Sequence, residues 1–145
     1  MKIIGINTSP RENSNSKIAL EKAFSQYGVS WNNTSETLYK GIGRKSFYLI
    51  LDLRNKTVGD KFVMHGYTSM TLSESVAESF SGTGVILVCE NMGEKKCVFP
   101  PNKPVQNSVA GMEKEEEILF DKGLQFEVVE RKEENKKIYL YVKPI

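Results

Sequence analysis

Two glutamates separated by one residue are the feature of this sequence with the most evident chemistry. Glu115 and Glu117 lead into the apolar run Ile118-Leu119-Phe120, and together they predict a buried strand over 115–120. Residues i and i+2 of a strand point to the same face, so the two carboxylates would lie side by side. Neighbouring carboxylates repel each other and are retained mainly where a positive charge develops beside them. A sugar oxocarbenium ion is such a charge.

The same residues also fit a simpler explanation. Glu113 and Glu116 extend the acidic run, and runs of like charge usually form solvated faces. The rest of the chain therefore has to decide between a solvated strand edge and a reactive pair of carboxylates.

Length and composition predict one globular domain over residues 1–145. A chain of 145 residues can bury a hydrophobic core, and contents of 39% hydrophobic and 26% charged residues are ordinary for a folded protein. The net charge of +2 is too small to indicate a nucleic-acid partner.

The sequence also predicts no metal site and no membrane partner. Cys89, Cys97 and the single histidine, His65, fall short of the four ligands that a structural zinc site needs. Neither a signal peptide nor an apolar run of membrane-spanning length is present. We expect a monomer in the cytoplasm, of the producing cell or of a host cell after delivery.

Periodicity predicts an α+β fold, with helices early and consecutive strands late. Helical spacing occurs over 17–27 and 71–80, the latter with Thr71 or Ser73 as N-cap. The predicted strands are 37–41, 61–69, 85–89, 115–120, 125–131 and 136–142. Residues 47–53 fit a strand or a short helix, and the irregular stretch 91–112 is long enough to suggest a functional loop.

Three motifs occur in a recognisable order. Tyr39-Lys40-Gly41 comes first, then Gly66-Tyr67-Thr68-Ser69-Met70-Thr71 with a helix carrying Ala77 and Phe80, and last Glu115-x-Glu117-Ile-Leu. This order resembles the mono-ADP-ribosyltransferase family, in its arginine–serine–glutamate branch of bacterial toxins, phage enzymes and vertebrate ecto-enzymes. The resemblance runs from about residue 18 to the C-terminus. It implies N-terminal helices and a mainly antiparallel β core of two packed sheets.

The resemblance also implies a reaction and a role for each motif. ADP-ribose would be transferred from NAD, the substrate, to an acceptor with release of nicotinamide and without a metal. Glu117 would stabilise the ribose oxocarbenium ion, and Ser69 would hold the Glu117 carboxylate. Glu115 would orient and deprotonate the acceptor, an arginine of a target protein.

Further residues are assigned to binding by the same resemblance. Those expected to bind NAD are Lys40, Gly41, Arg44, Tyr67, Thr68 and Thr71. Those expected to recognise the target protein are Gln106, Asn107 and Ser108. The family has arginine where this chain has Lys40. The ammonium group of lysine is a point charge, whereas the planar guanidinium group of arginine can donate two parallel hydrogen bonds. Either Lys40 still binds phosphate, or Arg44 substitutes for it, or NAD binding is poor.

Other functions stay open from the sequence. A catalytically weakened binding protein or an NAD glycohydrolase would keep the same motifs. Residues 1–16 resemble the first strand and phosphate loop of flavodoxin-like FMN reductases. A doubly wound fold, however, needs alternating helices and parallel strands, whereas the last third of the chain predicts consecutive strands.

Overall fold

The computed structural model describes residues 22, 33–43, 47–82, 84–98 and 117–145. The elements in this part of the chain are β1 (Leu38–Ile42), α1 (Phe47–Arg54), β2 (Lys61–Met64), β3 (Thr68–Thr71), α2 (Glu74–Ser81), β4 (Val85–Cys89), β5 (Cys97–Val98), β6 (Glu117–Phe120), β7 (Leu124–Glu134) and β8 (Lys137–Pro144). Of the predicted N-terminal helix over 17–27, only Lys22 lies among these residues, and it is helical.

The eight strands are hydrogen-bonded in the order β2-β7-β8-β4-β1-β3-β6-β5. Among these described strands, only the β4–β8 pair is parallel, and the other neighbours are antiparallel. The predicted α+β class with a mainly antiparallel core is therefore confirmed. The parallel, doubly wound sheet of a flavodoxin-like protein does not fit this topology.

The sheet consists of two parts that meet at one residue pair. Strands β1 and β3 are matched only at Tyr39 and Thr71, so the β3-β6-β5 part is joined to the rest through a minimal contact. Buried side chains from both parts, such as Phe120 and Phe126, belong to one core cluster. The two predicted sheets are thus hydrogen-bonded to each other, and they enclose a common core because each turns one apolar face toward it.

Strand β4 shows how the core is layered. All five of its residues are buried, which explains why its sequence is continuously apolar instead of alternating. Val85, Leu87 and Cys89 face the main core. Ile86 and Val88 face the opposite side, where α2 covers them through a smaller apolar cluster.

One predicted element differs from the structure, and a second, for which the sequence left two possibilities, is defined by it. The single strand predicted over 61–69 is two strands, because β2 pairs with β7 at one end of the sheet and β3 pairs with β6 near the other. The chain must leave one partner and cross to the next, and Gly66 lies in the connecting segment. Residues 47–54, which could have been a strand, form a helix.

Helix α2 is fixed in place at both of its ends. At its start, the Val76 N–H donates to Ser73 Oγ (3.4 Å), so Ser73 is the N-cap of the two predicted candidates. From its middle to its last residue, the helix backbone lies against Gly41 of β1: a Cβ atom there would overlap the Ala77 carbonyl oxygen and come within 2.9 Å of the Ser81 backbone nitrogen. Glycine at position 41 therefore lets the helix backbone lie directly on the strand.

Both cysteines are buried free thiols, and this burial has a chemical consequence. Burial raises the pKa of Cys89 to about 11 and also raises the pKa of Cys97. Because the thiolate is the reactive form, we expect labelling by a disulfide reagent at pH 8 to be about a hundredfold slower in the native protein than in denaturant. Prompt labelling of both thiols without denaturant would contradict this packing.

Candidate active site

The centre of the candidate site is a hydrogen bond between two neighbouring strands. Ser69 Oγ donates to Glu117 Oε1 at 2.6 Å, across a sequence separation of 48 residues. The register explains the contact: Thr71 lies directly opposite Glu117, and Ser69 is two residues away on the same face of β3. A short bond to an ionised acceptor is among the stronger hydrogen bonds, so the serine holds this carboxylate in one orientation.

Lys40 supplies a positive charge at the same place. Its Nζ donates to the Ser69 backbone carbonyl oxygen at 2.8 Å, which ties the ammonium group of β1 to β3. This bond bridges the two parts of the sheet close to the Tyr39–Thr71 pair. The three predicted key residues Lys40, Ser69 and Glu117 are therefore brought together, although they come from three separate strands.

These residues open onto a cleft of about 180 Å³ between the sheet and α2. The lining residues are Tyr39, Lys40, Gly41, Ser69, Met70, Thr71, Val76, Ala77, Phe80 and Glu117. Three of them, Val76, Ala77 and Phe80, come from α2, and Phe80 is 54% exposed. The cleft therefore combines a carboxylate, an ammonium group and an accessible aromatic ring.

Tyr39 lines this cleft and packs against the apolar cluster beneath α2. Burial raises the pKa of the Tyr39 phenol, and the negative charges of Glu74 and Glu90, together with Tyr141, raise it further. The phenol therefore stays protonated at neutral pH and is available as a hydrogen-bond donor.

The structure places the predicted NAD-binding residues in three groups. Lys40, Gly41 and Thr71 line the cleft, with Gly41 also serving as the contact surface for α2. Thr68 is not among the lining residues: it is buried on the face of β3 opposite Ser69, and its hydroxyl donates to the Gly66 carbonyl oxygen (3.4 Å). Tyr67 is half-buried and is not among the lining residues.

The remaining predicted site residues fall outside the described part of the chain. They are Arg44, Gln106, Asn107, Ser108 and Glu115. Their assigned roles in binding phosphate, recognising the target and deprotonating the acceptor stay predictions.

Sequence reasoning missed part of the wall of the cleft. Five residues line it without having been predicted as site residues: Tyr39, Met70, Val76, Ala77 and Phe80. The apolar positions of α2 did give a signal, since Val76, Ala77 and Phe80 share one helix face. The motif quoted from the sequence included Ala77 and Phe80 without giving either of them a role in the site, whereas both line the cleft.

Two further properties concern metals and membranes. Among the described residues, no group of three or more histidines, cysteines, aspartates or glutamates is placed to hold a metal ion. In the same part of the chain, no helix has the length and apolar character needed to cross a membrane.

Comparison with known proteins gives matches among solved structures. No protein-family model and no curated protein matches the sequence. The structure of C3stau2 from S. aureus with NAD covers 97% of this chain and 76% of its own, with a TM-score of 0.63 and 16% identity. ADP-ribosyltransferase Vis, a toxin from Vibrio splendidus, in complex with agmatine covers 97% of this chain and 64% of its own, with a TM-score of 0.59 and 17% identity.

A third match agrees with these two. ADP-ribosyltransferase HopU1 of Pseudomonas syringae covers 94% of this chain and 59% of its own, with a TM-score of 0.55 and 17% identity. This chain thus spans less than two thirds of the length of the Vis and HopU1 chains. At these identities the likeness shows the fold, and the predicted ADP-ribosyltransferase-like fold is confirmed.

Proposed function

We propose that this protein is an NAD-dependent mono-ADP-ribosyltransferase that modifies arginine side chains of a target protein. The observation that carries the proposal is the 2.6 Å hydrogen bond from Ser69 to Glu117 at the edge of a cleft. The fold shared with solved ADP-ribosyltransferases supports it, and so does the structure of C3stau2 with NAD.

The size and chemistry of the cleft suit the reacting end of NAD. A cavity of about 150 Å³ can hold one benzene ring, so a cleft of about 180 Å³ accommodates a nicotinamide ring. The Phe80 ring offers an apolar surface for that ring, and the Lys40 ammonium group offers a charge for phosphate. The ribose carbon would then lie next to Glu117.

The reaction breaks one bond and forms one. The bond between ribose C1′ and the nicotinamide nitrogen breaks, and its electron pair leaves with nicotinamide. Positive charge develops on the ribose, and the Glu117 carboxylate stabilises it because Ser69 keeps that carboxylate oriented beforehand. An arginine nitrogen then attacks C1′, and Glu115 takes the proton that this nitrogen loses.

Arginine is the proposed acceptor for a chemical reason. A guanidinium group is fully charged at neutral pH, so attack through nitrogen requires a neighbouring carboxylate to accept a proton. Glu115, two residues before Glu117, has the spacing to serve that purpose. The structure of Vis contains agmatine, a small guanidinium compound, which makes agmatine a suitable test acceptor.

The test uses labelled NAD with agmatine as acceptor. The wild-type protein should release nicotinamide and produce labelled agmatine in equal amounts. Glu115→Gln should abolish labelling of agmatine while nicotinamide release stays measurable. Equal loss of both activities in Glu115→Gln would show that Glu115 is needed for cleavage of NAD as well as for transfer to the acceptor.

A second candidate function, a binding protein with a weakened transferase fold, would release no nicotinamide, whereas the transferase proposal assigns Lys40 to the NAD phosphates. If its ammonium group contacts NAD phosphate, Lys40→Met should raise the KM for NAD at least about tenfold, because a hydrogen bond between charged groups contributes about 1.5–3 kcal/mol. Lys40→Arg should retain or improve the KM, since arginine binds phosphate in a bidentate manner. Steady-state nicotinamide release measures both variants. A KM unchanged in both would place the NAD phosphates away from Lys40.

A further inference from the structure

Helix α2 divides one face of the sheet into two depressions. The active-site cleft lies on the β3–β6 side of the helix. On the other side, over β8 and the end of β7, there is a second depression of about 470 Å³. We refer to this second one as the β8 depression, and none of its lining residues belongs to the cleft.

The floor of the β8 depression is aromatic. Tyr139 and Tyr141 are two residues apart on β8, so both rings stand on the same face of the sheet. In the neighbouring strand they pair with Ile86 and Val88, which α2 covers. The two tyrosines therefore extend the apolar surface beneath α2 beyond the edge of the helix, where it forms the floor of the β8 depression.

Carboxylates surround this floor from two elements. Glu74 and Glu78 come from α2, and Glu134 comes from the end of β7. Glu78 Oε1 accepts a hydrogen bond from the Tyr139 hydroxyl at 3.2 Å. Among the described residues, neither Glu74 nor Glu134 has a cationic group within 4 Å. All three carboxylates act on Tyr139: burial raises the pKa of its phenol, and the negative charges of Glu78, Glu74 and Glu134 raise that pKa further.

Two lysines also line the β8 depression, but both have partners. The Lys132 Nζ lies 3.5 Å from Glu130 Oε1 and 4.8 Å from the centre of the Tyr141 ring. The Lys137 Nζ donates to the Glu78 backbone carbonyl oxygen at 3.5 Å. Glu130 compensates the charge of Lys132, whereas the carbonyl contacted by Lys137 is uncharged. The lining therefore holds three carboxylates, Glu74, Glu78 and Glu134, against one uncompensated ammonium group, that of Lys137, and its electrostatic character stays negative.

Aromatic rings with adjacent carboxylates form a surface that binds guanidinium and ammonium groups. We propose that the β8 depression docks an arginine or lysine side chain of the same protein whose acceptor arginine enters the cleft. This proposal rests on the proposed function for the identity of its partner. A helix is about 10–12 Å across with its side chains, so a protein surface placed over the cleft extends past α2 to the depression. A small acceptor such as agmatine cannot span that distance.

Neighbouring glutamates on β7 provide a matched pair of variants. Glu134 lines the depression, whereas Glu133 points to the opposite face of the strand and pairs with Arg131. We expect Glu74→Gln combined with Glu134→Gln to weaken binding of a fluorescent tetra-arginine peptide at least fivefold in an anisotropy titration. Glu133→Gln should bind the peptide as the wild type does.

A kinetic measurement then connects the β8 depression to the reaction. With protamine, an arginine-rich protein, as acceptor, the Glu74→Gln/Glu134→Gln variant should show a KM raised about tenfold, while the KM for agmatine and the rate of nicotinamide release stay unchanged. Peptide binding that is absent from the wild type, or equal in all variants, overturns the docking proposal. Because peptide binding is measured without NAD, a protein that lacks transferase activity but shows the expected titrations would overturn only the proposed function.

Discussion

Replacing Glu117 by glutamine should lower nicotinamide release from NAD by about a hundred- to a thousandfold, the loss expected when a preorganised electrostatic group is removed from a transition state. Glutamine keeps the shape of the side chain and can still accept the hydrogen bond from Ser69. Only the negative charge beside the ribose is lost. Steady-state release of nicotinamide, measured at saturating NAD, gives the effect on kcat.

A matched variant tests whether charge at this position is what matters. Glu36 is exposed and precedes β1, so Glu36→Gln removes an equal charge away from the cleft and should leave kcat unchanged. If the Glu117→Gln protein retains more than about a tenth of the wild-type kcat, the Glu117 carboxylate does not stabilise the transition state. The loss of a group with that role lowers kcat far more.

Replacing Gly41 by alanine should have the largest effect on stability. The added methyl group would overlap the Ala77 carbonyl oxygen and come within 2.9 Å of the Ser81 backbone nitrogen, both of which belong to the helix backbone. Backbone atoms cannot move aside as a flexible side chain can, so α2 has to shift from β1. We expect a loss of about 3 kcal/mol in the free energy of unfolding and a Tm lower by about 10 °C.

Gly66 provides the control for this substitution. It has no positive φ angle, and a Cβ atom there would have no neighbour within 4 Å. Gly66→Ala should therefore leave the Tm within about 2 °C of the wild-type value, in the range of ordinary surface substitutions. Thermal unfolding followed by circular dichroism compares the two variants. A Gly41→Ala protein as stable as Gly66→Ala would mean that α2 does not lie so close to β1.

The contact between Ser69 and Glu117 was expected from the sequence, but not the strand register that produces it. Period-two alternation and an apolar run were enough to predict strands around Ser69 and Glu117. Their contact depends on the β3–β6 register, in which Thr71 faces Glu117, and nothing local fixes a pairing over 48 residues. The order of motifs compared with a known family supplied that long-range information.

Other features depended on tertiary structure that no local pattern encodes. The break between β2 and β3 is invisible in the apolar pattern, because it arises from a change of pairing partner. Gly41, which was predicted to bind NAD, lines the cleft, but no local pattern shows that α2 also lies directly on it. Thr68 was predicted to bind NAD as well, but strand alternation directs it away from Ser69. The exposed Phe80 shows that a helix face that packs on a sheet can also line a cleft.

The most direct test of the central claim is mass spectrometry of the products formed from NAD by the purified wild-type protein with agmatine present. We expect free nicotinamide and an equal amount of agmatine carrying one ADP-ribose group, both lost in Ser69→Ala and Glu117→Gln. Nicotinamide with free ADP-ribose alone would indicate a glycohydrolase. Unchanged NAD at stoichiometric protein concentration would contradict the account.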